Sequence, residues 1–523
     1  MNTKRPILKI DGNTLTLDSI DFILNENPII FLSEDSIQKI QKSRELVEKW
    51  VEEEKPIYGI TTGFGEFSNV FINKHNTEKL QENLIVSHSV GVGDPIPPFI
   101  VKIMMILRAN ALAKGHSGIR LETLNLLIEL INKNIIPYIP SKGSVGSSGD
   151  LVQLSHLALC LIGKGKCQQF EYVDRTVDKF SNLEESSEAL KRSGLEPVKL
   201  SSKEGLALIN GAQMMTSYGA FICSQAKKLA KLADISAALT HEALRGSDKA
   251  YDERIHKLRP YDGQLKTARN LLKLIEESEI RLSHLHNDPR VQDAYSLRCI
   301  PQIHGASKDA IEYACSKVEI EINSATDNPL IFPDDGIALE GGNFHGQPIA
   351  IAMDVLSIAL SELANVAERR IERMVNGSLS GLPRFLTPNG GLNSGFMIAQ
   401  YTAASLVSEN KILAHPASVD SIPTSANQED HNSMGSIAAQ KAYQIMQNVE
   451  SVLAIELLTA AQALDFLKPL KPGIGTSIVY DEIRKIIPFM SEDRILHYDL
   501  IKVLELVRNN FLLNKVNEKI TLE

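Results

Sequence analysis

Over most of the chain, apolar residues recur at intervals of three to four, a spacing that predicts a protein built chiefly from α-helices. The N-terminal part differs. Residues 7–30 alternate between apolar and polar, which predicts short strands or a strand-turn-helix unit. Helical spacing begins at 33–53, with Ser33 or Asp35 as the cap, and returns over 77–87, 97–114 and 119–134. A Ser-rich stretch at 141–149 interrupts it before 151–163 resumes as a helix carrying Asp150 near its N-terminal end. Residues 166–203 are charged and lack a sustained apolar period, so a hairpin and loop are expected there. That stretch is the best boundary, giving an N-terminal domain over 1–203 and a second domain over 204–523. Beyond it, long helices are expected over 205–245, 263–285, 306–324, 350–377, 397–413 and 435–468. Several exceed the usual length of about 11–12 residues, which points to a bundle of long helices. Pro333-Asp334-Asp335-Gly336 reads as a turn between two short β-like runs. The expected fold class is mainly α, a long central helical bundle with a smaller N-terminal domain.

Charge narrows the function classes. The 523 residues carry 64 acidic and 55 basic side chains, a formal charge of −9, with lysines and arginines dispersed. A nucleic-acid partner is not expected from such a balance. No long apolar core follows the N-terminus, and the apolar run near Ile103 is broken by Lys102, Arg108 and Lys114, so neither a signal segment nor a membrane span is expected. The five cysteines are widely spaced without a CxxC pair, which suits a reducing, cytoplasmic setting. There is no HExxH, and His284-Leu285-His286 lacks a nearby third ligand, so no metal is expected.

The most informative chemistry lies in Gly143-Ser144-Val145-Gly146-Ser147-Ser148-Gly149-Asp150. A serine followed by glycine on a tightly bent backbone can cyclise. The amide nitrogen of Gly149 attacks the carbonyl carbon of Ser147, and loss of two waters leaves an exocyclic methylidene at residue 148. Glycine suits the attacking position because it has no Cβ to block the approach. Most Gly/Ser-rich loops are turns, helix starts or phosphate cradles. A Walker loop does not fit, since no Gly-Lys-Ser/Thr follows the glycines.

Other segments carry polar groups with two readings each. Tyr58 precedes the glycine-punctuated Gly59-Ile60-Thr61-Thr62-Gly63-Phe64-Gly65, which places it on a mobile loop. It is either a packed aromatic or a base, the latter if a positive charge or donor lowers its ordinary pKa of about 10. His88 closes a helix, as a structural histidine or as a hydrogen-bonding partner for a polar substrate ring. Asn210 interrupts an apolar run, as a cap or as a donor to a cofactor oxygen. In Val291-Gln292-Asp293-Ala294-Tyr295-Ser296-Leu297-Arg298, Arg298 is either an ion-pair residue or a bidentate grip on a substrate carboxylate. Asn323-Ser324-Ala325-Thr326-Asp327-Asn328-Pro329 and Gly341-Gly342-Asn343-Phe344-His345-Gly346 form loops around a short hairpin. Pro423 to His431 is polar ahead of an apolar helix, a cap region or a site in which Glu429 receives an ammonium or an imidazole N–H.

Taken in order, these motifs resemble the MIO-dependent histidine/phenylalanine/tyrosine ammonia-lyase family over about residues 8–506. Its usual ring triad is Ala-Ser-Gly, where this chain has Ser147-Ser148-Gly149. Within the family, His88, Asn427-Gln428-Glu429-Asp430-His431, His415-Pro416-Ala417-Ser418-Val419-Asp420 and Arg254-Ile255-His256-Lys257-Leu258-Arg259-Pro260 are similar to the histidine-specific members. Leu151-Val152-Gln153-Leu154 departs from their Leu-Ala-Pro-Leu and is similar to some tyrosine-specific members. The resemblance implies a fumarase/aspartase-like all-α fold and a D2 homotetramer with active sites shared among chains. It implies elimination of ammonium from L-histidine to give trans-urocanate, the first step of histidine degradation. The electrophile would be a 4-methylidene-imidazol-5-one formed autocatalytically from Ser147, Ser148 and Gly149, with no external cofactor; it would accept the substrate amine. Tyr58 is the first choice of base and Glu429 the second. Asn210 and Tyr295 would hydrogen-bond the ring, and Arg298 would hold the substrate carboxylate. His88, Gln292 and Glu429 would recognise the imidazole and amine, and Phe344 would pack near the ring and exclude water. Two alternatives remain open: a tyrosine or phenylalanine lyase or aromatic 2,3-aminomutase of the same family, and a non-catalytic helical scaffold with an uncyclised loop.

Overall fold

The computed structural model describes residues 5–63, 65, 72, 76–286, 288 and 290–523. Residues 1–4 of the N-terminal segment and Phe64 of the Tyr58 to Gly65 motif lie outside the described residues. Among those described, 21 α-helices stand against nine strands, none longer than four residues, so the chain is mainly α as its periodicity predicts. They form two compact units: Met1–Ser224 with Cys315–Asp354 and Pro416–Gln440, and Gln225–Ala314 with Val355–His415 and Lys441–Glu523.

The first unit opens with strands Ile7–Ile10 and Ile29–Leu32, paired parallel with Ile7 opposite Ile29. A parallel pair needs a crossover. Helix Leu17–Glu26 supplies it, started by a capping box between Thr16 and Ser19. Ser33, rather than Asp35, caps helix Glu34–Glu52, accepting from the Ser36 amide. At that helix's end Val47 and Trp50 pack with Ile60 and Ile331, which ties the segment following Tyr58 into the core. Helix Pro98–Ala113 is buried along every residue, including Lys102, Arg108 and Asn110. Its polar groups therefore need partners inside the protein. Lys102 finds Asn27 and Asn134, and burial lowers its pKa to about 7.

Three expectations need correcting, the third in the second unit. Residues 166–203 hold a short helix, Ser186–Arg192, besides strands Lys166–Gln169 and Glu184–Glu185. The helix expected over 205–245 is two, Glu204–Ile209 and Gln213–Ala243, because the chain breaks at Asn210 and Gly211. The turn at Pro333 to Gly336 is present, joining antiparallel strands Leu330–Phe332 and Ile337–Leu339.

The second unit is helical. Its interior carries a polar network in which Arg370 bonds both oxygens of Glu456 (Nε 2.5 Å, Nη2 3.0 Å). Ser236 and Thr240 donate to the same carboxylate at 2.6 and 2.9 Å. Removing either Arg370 or Glu456 would leave the other as an uncompensated buried charge. The helix expected over 263–285 is two, Asp262–Leu274 and Glu279–Leu282, and helices Ile474–Ile486, Leu496–Arg508 and Phe511–Asn517 complete the C-terminal part. Among the described residues, one helix, Gln347–Val375, is long and apolar enough to cross a membrane by length and composition alone. Two-thirds of its apolar window (67%) is buried in the protein, as in a core helix.

Glu242 gives this unit a pH signature. Its carboxyl accepts from the Gly473 amide at 2.9 Å and from Thr476 Oγ1, and burial raises its pKa to about 7 from 4.5. The folded state thus holds a proton that the unfolded state has released between those values, so stability falls as pH rises through 4.5 to 7. The loss amounts to roughly 3 kcal/mol at 1.36 kcal/mol per pKa unit. Glu242→Gln has no such proton to lose. Its melting temperature relative to the wild type should rise steadily from pH 5 to pH 8, and thermal melts that keep a constant offset would exclude this assignment.

Candidate active site

The segment Gly143 to Asp150 is held by contacts from distant parts of the first unit. Gly149 lies beside Gly211, with φ of +76° and +154°. A Cβ on Gly149 would meet the Gly211 carbonyl oxygen at 2.0 Å, so only glycine fits. The Asp150 amide donates to that same oxygen at 2.8 Å. Asp150 itself is buried; its carboxylate accepts from the Met215 amide (2.9 Å) and from Ser436 Oγ (2.7 Å). Burial raises its pKa to about 6. Ser433 Oγ and the Gly346 amide both donate to the Gly146 carbonyl, at 2.8 and 3.2 Å. Ser144 Oγ accepts from the Val152 amide at 3.1 Å, at the start of helix Leu151–Leu161.

Ser147 and Ser148 face a cavity of about 660 Å³. Leu84, Leu151, Leu206 and Ile209 give it an apolar side. Tyr58, His88, Asn210, Phe344 and Glu429, all singled out from the sequence, line the rest. The break in the chain after Ile209 directs the Asn210 side chain here, and its Nδ2 donates to the Ser148 carbonyl oxygen at 3.0 Å. Glu429 gathers hydroxyls: Ser148 Oγ donates to its Oε1 at 2.7 Å, while Ser147 Oγ and Thr424 Oγ1 donate to its Oε2 at 3.0 and 2.6 Å. Just before it, Ser425, Ala426 and Asn427 all take the left-handed conformation. For the first two this is strained backbone held in place by its surroundings, as often occurs where a chain positions a functional group.

His88 is the last residue of helix Thr77–His88, with Ser87 Oγ 3.1 Å from its Nδ1. Burial lowers its pKa, so the ring is uncharged at neutral pH. Tyr58 is half-buried, in a turn, with its hydroxyl accepting from the Gly65 amide at 3.3 Å. That donor is the kind a base would use, yet burial outweighs it, and the carboxylates of Glu340 and Glu429 add to the upward shift of the phenol. Among the described residues, nothing lowers its pKa enough to offset that rise.

Gln292, Tyr295 and Arg298 belong to the second unit and do not line this cavity. Gln292 and Tyr295 are exposed, the latter at 69%. The Arg298 guanidinium stacks over the Tyr295 ring at 4.6 Å, its Nε without a hydrogen-bond partner and without an ion pair among the described residues. Some wall residues carried a weak signal in the sequence. Asn328, His345 and His431 sit inside polar motifs, and the two histidine rings stack with planes 2° apart. Glu340, next to strand Ile337–Leu339, had none. Among the described residues, no group of three or more His, Cys, Asp or Glu is placed to hold a metal ion.

Residues 15–485 match the family model described as aromatic amino acid lyase. The chain belongs to that family. Histidine ammonia-lyase of Alkaliphilus oremlandii is 54% identical over 516 residues, spanning 99% of each chain. The solved structure of histidine ammonia-lyase from Trypanosoma cruzi is 43% identical, with a TM-score of 0.90 over 98% of this chain and 96% of that one. Tyrosine aminomutase from Streptomyces globisporus is 38% identical, with a TM-score of 0.92 over 99% of this chain and 100% of that one. The mainly helical architecture is the one this lyase family shares.

Proposed function

We propose that this chain is an ammonia-lyase that removes ammonium from L-histidine to give trans-urocanate, using a 4-methylidene-imidazol-5-one made from Ser147, Ser148 and Gly149. One observation carries the reading. Attack by the Gly149 nitrogen expels the Ser147 carbonyl oxygen and dehydration removes Ser148 Oγ, so the carbonyl oxygen that survives is that of Ser148. Asn210 Nδ2 already donates to that atom at 3.0 Å. The close fit of Gly149 against Gly211 supports the same reading, since a side chain there would fill the bend. Formed in place, the ring would supply an electrophilic carbon that turns the substrate amine into a better leaving group.

The chain's own groups divide the remaining work. Glu429, 2.7 Å from Ser148 Oγ and 3.0 Å from Ser147 Oγ, is placed to move a proton at either atom. Once Ser148 Oγ has departed, that carboxylate oxygen is free to accept from an ammonium or imidazole N–H. His88, uncharged near pH 7, offers a ring nitrogen to the substrate imidazole. Phe344 and the apolar side exclude water. Tyr58 Oη faces the same cavity as a base for the β-proton, and its upward-shifted phenol calls for a cation from outside this chain's own surroundings. Gln292, Tyr295 and Arg298 are proposed to come from neighbouring copies in a homotetramer with shared sites. In that arrangement the exposed Tyr295 assists at the ring and Arg298 clamps the substrate carboxylate. The setting is proposed to be cytoplasmic.

The likeness to a tyrosine aminomutase, together with Leu151-Val152-Gln153-Leu154, supports a second reading with a tyrosine substrate. Assays with L-histidine, L-tyrosine and L-phenylalanine separate the two. Urocanate absorbance should rise only with histidine. A coumarate or β-tyrosine product from tyrosine, with histidine inert, would overturn the substrate assignment and keep the family.

A further inference from the structure

Arg108 is enclosed in helix Pro98–Ala113, 1% exposed, and has no part in the reaction described above. Its Nη1 donates to the Asn210 carbonyl at 2.9 Å and to Gln213 Oε1 at 2.8 Å, and its Nη2 donates to the Ala207 carbonyl. Two of these acceptors belong to the C-terminal end of helix Glu204–Ile209, where carbonyls lack partners within the helix. Gln213 is held at both ends of its amide, since its Nε2 donates to Thr326 Oγ1 at 2.8 Å. The three side chains close around Gly211: a Cβ there would lie 2.4 Å from Gln213 Oε1, 2.5 Å from Thr326 Oγ1 and 2.6 Å from Arg108 Nη1. They thus grip the short non-helical link whose first residue, Asn210, donates to the Ser148 carbonyl oxygen. Only a planar fork can serve acceptors on two sides of that link at once; a lysine ammonium would be a point donor. Burial lowers the Arg108 pKa to about 10, so the fork stays charged at neutral pH.

We propose that Arg108, Gln213 and Thr326 are positioning residues that hold the Asn210 side-chain amide on the Ser148 carbonyl oxygen. The proposal rests on the reading of Asn210 as the donor to the ring oxygen. A donor at that oxygen draws electron density along the conjugated system away from the exocyclic carbon, and a fixed donor does so without reorganising. The network also gives Thr326, from the polar motif Asn323 to Pro329, a place in the site without contact to substrate.

Thr326→Val tests this with little change of shape, because it removes only the acceptor that fixes the Gln213 amide. The expected result has three parts. The variant folds and its intact mass is lower than its sequence mass by two waters, as in the wild type. Its near-ultraviolet difference spectrum against Ser148→Ala shifts to shorter wavelength, the direction for a conjugated carbonyl losing a donor. Its kcat falls about tenfold, less than outright removal of a donor of this kind, with KM nearly unchanged. Thr326→Ser should restore spectrum and kcat, and Arg108→Lys should shift both further. A Thr326→Val protein with a lower melting temperature but wild-type spectrum and kcat would overturn the proposal and leave the network a structural brace. A wild-type chain at full sequence mass would overturn the proposed reaction itself. The mass measurement therefore separates the two failures.

Discussion

Ser148→Ala is expected to give a folded chain that no longer converts L-histidine, with kcat lowered by a factor on the order of 10⁴ or more. The size follows from what leaves with one oxygen atom. Alanine has no hydroxyl to eliminate, so no methylidene forms at residue 148 and the amine keeps its poor leaving ability. The change costs the fold little: the Asn210 bond goes to the backbone oxygen of residue 148, and Glu429 keeps the hydroxyls of Ser147 and Thr424. Intact mass spectrometry supplies the second readout, with wild type lighter than its sequence by two waters and the variant at full mass. Substantial urocanate formation by the variant would rule out the electrophile.

Gly149→Ala should be as damaging to activity and far more damaging to the fold. Its backbone sits at φ +76°, which costs an L-residue about 1–2 kcal/mol. More serious is space, because the added carbon would lie 2.0 Å from the Gly211 carbonyl oxygen and 2.2 Å from its carbon. These are backbone atoms that cannot swing aside, and Gly211 is itself enclosed by Gln213, Thr326 and Arg108. A destabilisation of roughly 3–5 kcal/mol is expected, at the upper end for single substitutions, together with complete loss of ring formation. Gly194→Ala is the control. It has φ +69° but nothing within 4 Å, so it should cost only about 1 kcal/mol, with activity intact. Equal melting temperatures for the two variants would show that the close packing at Gly149 is unimportant.

Much of this site was legible because the chemistry is local. Ser147, Ser148 and Gly149 announce themselves as a tripeptide, Asn210 is a polar group in an apolar run, and His88 and Glu429 lie in polar motifs at helix boundaries. The structure brings Ser147, Ser148, Asn210, His88 and Glu429 to one cavity and packs Gly149 beside Gly211. Helices over 77–87 and 397–413 were readable from their period. The helix Pro98–Ala113 was also readable from its spacing over 97–114, whereas its burial on every side, which leaves it no polar face, was not. What stayed illegible depended on long-range partners. The break at Asn210 and Gly211 is invisible to a periodicity that continues through it, and it arises from contacts with residues 108, 149 and 326. Arg108 read as a charge that interrupts an apolar run, and nothing local distinguishes a surface arginine from one buried against three carbonyl or amide oxygens. Glu340 reaches the cavity through a hairpin whose register the sequence does not specify.

The bend that carries Ser148 is held by Gly211, Met215, Gly346, Ser433 and Ser436, the last two more than 280 positions along the chain. A ribosome releases residues 143–150 long before it has made residue 436, so during synthesis the reactive peptide waits as ordinary serine and glycine. Only a chain that has closed over its own beginning presents the geometry for dehydration. On the proposed reaction, loss of two waters would double as a certificate of completed folding, stamped irreversibly on each finished molecule, and chains stalled or truncated before residue 433 would remain chemically blank.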